Sequence, residues 1–416
     1  MATTTERPTR TAGTLRVAFA GGGTGGHIVP GLHLLATATE APARAGRARP
    51  EASMAFDRAT SPRSDDAGRA HAASPVIEDV LWFTTGRGVE ARVLAGLDRV
   101  RGPAEVERVA LPLEPEGGGA PSRSALVLRT PRAVVRARAA LVRHRAQVLL
   151  GLGGFTALPA VLAARSLGIP VALVEINASP GAATRWLARF STRVFHAWRG
   201  TLGSSPNAQH VFTGAPLAPE FTRGAPPLEV SERARAELGF DPERPLLVVL
   251  GGSQGASGLN QFVRAHAPAI VASGVQVLHQ TGPGRASEGL PTFTGYRVQE
   301  YLDPAWHALA ASTAVLCRGG ASTLAEVAAL RRPAYVVPYP HHADRHQEKN
   351  ALELGDGVRI VHEERLGVSV RQELVRLCEP NGAPERARMS AALERAVPLD
   401  GGARILSELA AIARPS

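Results

Sequence analysis

Two glycine-rich turns carry most of the chemistry that this sequence suggests. Residues 21–27 (GGGTGGH) follow one short apolar segment, and residues 251–256 (GGSQGA) follow another. Glycine lets the backbone turn sharply and approach a ligand closely, and the helix start behind such a turn offers free N–H groups to an anion. One such turn is a weak signal. Two of them, about a domain apart, predict paired nucleotide-binding domains that face each other across a cleft.

Two side chains near these turns are candidate proton acceptors. His27 stands in the first turn of a predicted helix, where the helix dipole lowers the imidazole pKa and keeps the ring neutral, as a general base requires. Glu175 ends an apolar strand just before Asn177, and a carboxylate is costly to bury there without a partner. The alternatives are that His27 only packs or caps the helix and that Glu175 only holds neighbouring loops by hydrogen bonds.

The first turn also matches the dinucleotide fingerprint, as Gly21-x-Gly23-x-x-Gly26. That fingerprint requires an acidic residue at the end of the second strand to hold a ribose hydroxyl. Here the second predicted strand ends in residues 84–86 (TTG). A hydride-transferring enzyme is therefore disfavoured.

Two further patterns have a structural and a functional interpretation. Thr323 and Glu326 have the spacing of a capping box, and spacing alone favours this structural interpretation. Glu326 could equally accept two ribose hydroxyls. His342 and His346 have the i, i+4 spacing of a metal pair. Because residues 338–340 (PYP) indicate a loop and no third ligand stands out, no metal site is predicted.

The elements that must position these residues alternate along the chain. Strands are predicted at residues 15–20, 80–84, 107–113, 148–150, 171–174, 246–250, 275–279, 296–301, 313–317 and 333–338, and helices at 30–39, 90–97, 131–145 and 403–413. Pro30 is expected in the first turn of the first helix, where its missing N–H costs little. Alternation of this kind predicts parallel sheets, with the glycine turns lining one cleft at the carboxyl ends of the strands.

The length of 416 residues predicts two domains. Residues 1–213 form the expected first domain, within which 41–75 have no periodicity and are predicted to be a disordered insertion. The Pro- and Gly-rich residues 214–230 form the linker, and 231–398 the second domain. Residues 399–416 are expected to return to the first domain as a helix.

Composition excludes several functional classes. The net charge is +10, but Lys349 is the only lysine among 47 basic residues. The excess of arginine over lysine is as typical of a G+C-rich genome as of a basic surface. Nucleic-acid binding is disfavoured, because no run of basic residues is interleaved with aromatic residues. Two cysteines are too few for a disulfide framework and fit a reducing compartment. No signal peptide or apolar run of about 20 residues is present, so any membrane contact is expected to be peripheral.

Five motifs together carry a resemblance to a known family. They are GGTGGHxxPG at 22–31, GxGG at 151–154, GGSQGA at 251–256, CRGGASTLAE at 317–326 and HQEKNA at 346–351. In this order they resemble the bacterial undecaprenyl-diphospho-muramoylpentapeptide β-N-acetylglucosaminyltransferases, which form lipid II in peptidoglycan synthesis. The resemblance spans nearly the whole chain outside residues 41–75.

The resemblance implies a GT-B fold, with two Rossmann-like, doubly wound parallel-sheet domains across a cleft. It implies inverting transfer of N-acetylglucosamine from UDP-N-acetylglucosamine to the muramoyl 4-hydroxyl of lipid I, without a cofactor or metal. It also implies a peripheral location at the cytoplasmic face of the cell membrane, with cell-wall synthesis proteins as further partners. The basic residues 131–145 are expected to meet anionic headgroups, and the alternative is an ordinary solvated helix packed on the sheet. The alternatives are a related transferase with another lipid-linked acceptor and a catalytically weakened nucleotide-sugar-binding protein.

The resemblance also implies residue roles, each carried over by motif position. His27 is the candidate base, with Glu175 as its helper or alternative, and Asn177 and Gln347 hold the sugar. Leu302 contacts uracil through its backbone. The diphosphate is held by Thr24, Gly25, Gly26, Ser253 and Gln254. The nucleoside and the neighbouring diphosphate are held by Ala321, Ser322, Thr323, Leu324, Ala325 and Glu326, with Glu326 on the ribose in preference to a cap.

Two departures from the family pattern concern the donor. Val174 stands where the family has a histidine, and Ala218 stands where the family has an arginine for the diphosphate. Arg223 of the same loop is the candidate replacement for that arginine. These departures affect the expected donor affinity more than the expected reaction.

Overall fold

The computed structural model describes residues 14–22, 25–45, 75–86, 90, 93–100, 102, 104–113, 123–154, 156–202, 209–285, 293–342 and 344–415. Within them lie two sheets in which every strand pairing is parallel. The first sheet comprises β1 (Thr14–Gly21), β2 (Val76–Thr84), β3 (Glu105–Ala110), β4 (Val148–Gly153), β5 (Val171–Glu175), β6 (Arg193–His196) and β7 (Gln209–Phe212). The second comprises β8 (Leu246–Leu250), β9 (Gln276–Gln280), β10 (Tyr296–Gln299), β11 (Ala314–Cys317), β12 (Ala334–Val336) and β13 (Val358–Ile360).

Both sheets change winding direction at one point. The order is β3-β2-β1-β4-β5-β6-β7 in the first sheet and β10-β9-β8-β11-β12-β13 in the second. The switch points therefore lie between β1 and β4 and between β8 and β11, and ligands bind beyond the carboxyl ends of strands at such points. The glycine-rich segments 21–27, 151–154, 251–256 and 319–320 lie at the carboxyl ends of β1, β4, β8 and β11, so the topology places each of them at a switch point. The doubly wound parallel α/β fold predicted from the sequence is confirmed.

Helices cover both faces of the sheets. They span Gly25–Ala45, Leu97–Val100, Arg123–Arg143, Ala157–Ser166, Ala182–Leu187, Leu228–Glu237, Ser257–Ala272, Ala305–Ala311, Ala321–Ala329, His346–Leu352, Val368–Cys378, Ala383–Ala396 and Gly401–Ile412, with short 3-10 helices at Ala188–Phe190, Arg199–Thr201, Phe221–Arg223, Gly355–Gly357, Glu363–Arg365 and Pro380–Gly382. Along β1, Phe19 packs in one buried cluster with Ile28, and Ala18 packs in another with Leu141. Burial on both faces explains why the strands read as continuous apolar runs rather than as alternating ones.

Several predicted boundaries are wrong. The first helix begins at Gly25, so Pro30 is its sixth residue rather than part of its first turn. The same helix runs to Ala45, so 41–45 are helical and not part of a disordered insertion, while 46–74 lie outside the described residues. The basic helix begins at Arg123, earlier than predicted. The strand predicted at 333–338 is followed by β13, an edge strand of three residues that is too short to show a periodic pattern.

The last helix, Gly401–Ile412, contacts the first helix, Gly25–Ala45. Glu408 forms an ion pair with Arg193 of β6 at 3.2 Å. Beyond the helix, the Arg414 N–H donates to the Gln147 carbonyl at 3.1 Å. These contacts attach the C-terminal segment to elements of the first sheet. Among the described residues, no helix is long and apolar enough to cross a membrane.

Candidate functional site

His27 is the third residue of the helix that follows β1. Its Nδ1 lies 3.3 Å from the Gly22 carbonyl oxygen. Gly153 and Gly154 pack against the ring, since a Cβ on Gly153 would lie 2.8 Å from His27 Cδ2 and one on Gly154 would lie 3.2 Å from Nδ1. Both glycines have positive φ, 102° and 76°. The GxGG motif therefore makes room for the imidazole at the β1–β4 switch point.

Burial lowers the pKa of His27, against the opposing effects of the Gly22 carbonyl and the nearby Glu175 carboxylate. The direction agrees with the one expected from the helix start, but the main cause is desolvation. Because a carbonyl can only accept, the hydrogen bond to Gly22 places the proton of the neutral ring on Nδ1. Nε2 is then the nitrogen with the lone pair, as a general base at this position requires.

Glu175 is buried at the end of β5, and both of its oxygens accept hydrogen bonds. Oε1 accepts from the Asn177 backbone N–H at 2.9 Å and from Asn177 Nδ2 at 3.3 Å. Oε2 accepts from the Gly181 N–H at 2.9 Å. Glu175 thus holds the loop after β5 in place, which is the structural alternative that the sequence left open.

Asn350 links this loop to the second sheet, and sequence analysis did not single it out. Its side chain is fully buried. Oδ1 accepts from the Ala178 N–H at 2.7 Å, while Nδ2 donates to Asn177 Oδ1 at 3.3 Å and to the Gly319 carbonyl at 3.0 Å. Its position in the HQEKNA motif could have identified Asn350, because it stands three residues after Gln347 and hence on the same side of the helix.

Gln347 lies in the helix His346–Leu352 and faces the turn after β11. Its Oε1 accepts from the Gly319 N–H at 3.2 Å and from the Tyr339 N–H at 2.9 Å. A Cβ on Gly319 would lie 2.3 Å from the Gln347 carbonyl oxygen. Only glycine therefore fits at this contact, and it fixes the helix against the β8–β11 switch point.

Residues 321–326 form the first turns of the helix Ala321–Ala329, directly after that turn. The helix is preceded by Gly320 as N-cap and has no side-chain capping bond. The capping-box interpretation of Thr323 and Glu326 is therefore wrong, because Thr323 lies inside the helix. Burial raises the pKa of Glu326 to about 8. Among the described residues, no donor is hydrogen-bonded to its carboxylate.

The other predicted donor residues lie at the ends of second-sheet strands. Ser253 and Gln254 are exposed in the turn between β8 and the helix Ser257–Ala272. Leu302 is buried just after β10. On the first-sheet side, Gly25 and Gly26 begin the helix of His27, whereas Thr24 lies outside the described residues.

The two sides of the site meet through their helices. The helix Gly25–Ala45 contacts the helix Ala321–Ala329, which brings the element of His27 against the element of Glu326. Ala218 packs on the core, and Val174 is buried within it. Arg223 is exposed at the end of a short helix, Phe221–Arg223, that contacts Ala321–Ala329. The loop that carries Ala218, where the family has an arginine, therefore leads to a short helix that contacts Ala321–Ala329.

The basic helix Arg123–Arg143 presents an apolar stripe to the outside. Leu128, Val135 and Val142 are 78%, 68% and 58% exposed, and they recur every seven residues, which keeps them on nearly one line along the helix. Exposed Arg132 and Arg138 flank the stripe on its two sides. The surface is amphipathic in the sense of an interfacial helix.

Known proteins share both the sequence and the fold of this chain. The glycosyltransferase family 28 N-terminal domain matches residues 80–196, and the family's C-terminal domain matches residues 246–397. A UDP-N-acetylglucosamine–N-acetylmuramyl-(pentapeptide) pyrophosphoryl-undecaprenol N-acetylglucosamine transferase of Paenarthrobacter aurescens is 36% identical over 389 residues, 91% of this chain and 92% of the relative. The chain belongs to glycosyltransferase family 28.

Further relatives of family 28 agree with this assignment. A transferase of the same name from a Nocardioides species is 38% identical over 364 residues, covering 83% of this chain and 84% of that one. The crystal structure of MurG from Acinetobacter baumannii covers 96% of this chain and 99% of its own, with a TM-score of 0.61 and 20% identity. The resemblance to lipid II-forming family members and the GT-B fold are thereby confirmed.

Proposed function

We propose that this protein is an inverting glycosyltransferase that moves N-acetylglucosamine from UDP-N-acetylglucosamine to the muramoyl 4-hydroxyl of undecaprenyl-linked lipid I, forming lipid II. The names of relatives that match over most of the chain support this activity. The single structural observation that carries it is the contact between the His27 helix and the Ala321–Ala329 helix. This contact brings together the helix that carries His27 and the helix that carries Glu326.

The donor occupies the second-sheet side in this proposal. The turn with Ser253 and Gln254 and the helix starts at Gly25, Ser257 and Ala321 direct backbone N–H groups toward the diphosphate. As the glycosidic bond breaks, the departing UDP gains negative charge, and preorganised N–H groups stabilise that charge. Leu302 contacts uracil, Glu326 accepts the ribose hydroxyls, and Asn177 and Gln347 hold the sugar.

The acceptor hydroxyl is deprotonated by His27. Nε2 takes the proton as the 4-hydroxyl oxygen attacks the anomeric carbon and the bond to the diphosphate breaks, in one displacement that inverts the anomeric centre. Glu175 is the weaker candidate, because its oxygens already accept hydrogen bonds from Asn177 and Gly181. Its role is to hold this loop and to favour electrostatically the imidazolium that forms on His27.

The chain is divided by role in the same proposal. Residues 1–213 bind the acceptor and the membrane, 231–398 bind the donor, and 214–230 connect the two. Residues 399–416 return to the first part. The protein lies peripherally at the cytoplasmic face of the cell membrane, where cell-wall synthesis proteins are its further partners.

The membrane contact is assigned to the stripe of Leu128, Val135 and Val142. An undecaprenyl-linked acceptor stays in the bilayer, so the enzyme must come to it, and the flanking arginines attract anionic headgroups. Co-sedimentation with vesicles should rise with anionic lipid, fall with salt and weaken in Val135→Asp. Leu228→Asp, at another exposed apolar residue, is the matched control. Equal loss in both variants would remove the stripe from the proposal.

One experiment separates the proposed activity from its alternatives. Purified protein is incubated with labelled UDP-N-acetylglucosamine and either lipid I or other lipid-linked acceptors. Transfer to lipid I with an inverted anomeric product is expected. Transfer only to another lipid indicates a related transferase, and donor binding without any transfer indicates a nucleotide-sugar-binding protein.

A further inference from the structure

Three potential metal ligands gather at the start of the helix that carries Gln347. His342, Asp344 and His346 each offer a ligand atom, and these atoms all lie within 4.8 Å of one another. Asp344 Oδ1 lies 2.8 Å from His346 Nδ1, and the rings of His342 and His346 have centroids 4.5 Å apart. Asp344 is thus a candidate third ligand beside the two histidines, which their i, i+4 spacing alone did not reveal.

A backbone hydrogen bond and the start of a helix bring these side chains together. The Arg345 N–H donates to the His342 carbonyl at 3.0 Å. Arg345 has φ of 49°, in the left-handed region, and it is the residue before the helix His346–Leu352. Its guanidinium pairs with Glu348, with Nε 2.6 Å from Oε2, so its positive charge is compensated beside the cluster. The ring of Tyr339 also lies beside the cluster, with its centroid 5.0 Å from that of His342.

We infer that His342, Asp344 and His346 bind a divalent transition-metal ion of the zinc type. Two imidazoles and one carboxylate are ligands that zinc accepts, whereas magnesium and calcium prefer oxygen ligands alone. A tetrahedral zinc site needs ligand atoms about 3.4 Å apart, from metal–ligand distances of about 2.1 Å. The ligand atoms here lie within 4.8 Å of one another. Because His342 and Asp344 are exposed, small rotations of their side chains bring these atoms to the closer spacing. A fourth position then stays open to water or to an anionic oxygen.

This site goes beyond the transfer reaction and does not depend on it. Metal binding would fix the turn before Gln347, which itself accepts from the Gly319 and Tyr339 N–H groups. A bound ion stabilises the folded protein by a free energy that grows with the logarithm of the free ion concentration relative to the dissociation constant. Its effect is therefore measurable without donor or acceptor.

The test is calorimetric titration of chelator-treated full-length protein with Zn²⁺ alone, in the absence of nucleotide. One ion per chain is expected, together with a rise in Tm that excess Mg²⁺ does not reproduce. Co²⁺ should give the visible absorption of a tetrahedral site.

His342→Gln and Asp344→Asn should each weaken Zn²⁺ binding by more than about tenfold. His341→Gln is the matched control, because His341 is exposed and lies beside Tyr339 but outside the cluster. Absence of stoichiometric binding would overturn the site, as would equal weakening in His341→Gln. Either result leaves the transferase proposal standing.

Discussion

Asn350 donates a hydrogen bond from Nδ2 to Oδ1 of Asn177 across 3.3 Å. The same carboxamide accepts from Ala178 and donates to Gly319, so one buried side chain joins the loop after β5 to the turn after β11. Glu175 holds the first of these segments and Gln347 holds the second. The two proposed sugar contacts, Asn177 and Gln347, are thus positioned by one connected network.

Asn350→Asp should disrupt this network without changing its size. The new oxygen would face Asn177 Oδ1 and the Gly319 carbonyl, both of which are acceptors, and an unsatisfied buried polar group costs about 1–3 kcal/mol. We expect the free energy of unfolding to fall by about this amount in urea denaturation, with a loss of kcat/KM for donor. Asn381→Asp, at an exposed asparagine, is the control. Equal effects in the two variants would argue against the network.

The glycines beside His27 allow a second prediction. Gly153 has a φ of 102°, and a Cβ on it would lie 2.8 Å from the His27 ring. Gly274 has a similar φ of 89°, but a Cβ on it would have nothing within 4 Å. Gly274→Ala therefore measures backbone strain alone, of order 1–3 kcal/mol. Gly153→Ala should show the same strain and, in addition, a loss of turnover in assays with saturating donor. If the two variants lose turnover equally, the close packing of His27 has no catalytic consequence.

Long apolar strands such as β1 and β8 were predictable from the sequence, because they are buried on both faces. Gly21 and Gly251 marked two switch points, because neighbouring backbone leaves no room for a side chain there: a Cβ would lie 2.6 Å from the His27 carbonyl oxygen and 2.8 Å from the Ala256 nitrogen. The short edge strand β13 was not predictable, since it has three residues, of which one is buried. The extension of the first helix to Gly25 was missed because Pro30 suggested a helix start.

The sequence suggests the residue types of the candidate site but not how these residues are connected. Spacing placed Glu326 in a capping box, yet the helix begins at Ala321 and puts Thr323 inside its first turn. Asn350 gave no signal by itself, because its partners are more than 170 residues away for Asn177 and Ala178. Contacts of this kind follow from how the two sheets meet, which local periodicity does not encode.

His27→Ala should lower kcat by about 10²–10⁴-fold while donor binding changes little. The base must be neutral, and burial holds the pKa of His27 below its ordinary value of 6.5. The acidic limb of the pH profile of kcat should therefore have its midpoint below pH 6.5. Steady-state assays from pH 5 to pH 9 measure this profile. An acidic limb at or above pH 6.5 would assign the base elsewhere.

Glu175→Gln distinguishes the two base candidates. Glutamine keeps an acceptor oxygen for the loop but removes the carboxylate, and its new NH2 faces either the Asn177 or the Gly181 N–H. We expect a smaller loss of kcat than in His27→Ala, together with lower stability from the mismatched donor. A larger loss of turnover in Glu175→Gln, with the fold intact by circular dichroism, would make Glu175 the base.

Glu326 makes the free energy of unfolding of the unliganded protein depend on pH. Its pKa is raised from 4.5 to about 8, so the folded state favours the protonated carboxyl. This contribution is fully present below pH 4.5 and is lost as pH rises to about 8. Urea unfolding of the unliganded protein should show this decline. Glu326→Gln should flatten it, because glutamine does not titrate.

The same carboxylate gives donor binding the opposite dependence on pH. Ribose hydroxyls donate hydrogen bonds best to the ionised carboxylate, so bound donor favours deprotonation and releases a proton as it enters. The donor KM should therefore fall as pH rises from 6 toward the raised pKa of about 8.

In Glu326→Gln the donor KM should be about 10- to 100-fold higher, because the hydrogen bonds to a charged group are lost. It should also be independent of pH in this range. Because the residue contacts the nucleoside and not the reacting carbon, kcat at saturating donor should change much less. Calorimetry in buffers of different ionisation enthalpy counts the released proton, and a pH-independent KM in the unsubstituted protein would refute the ribose contact.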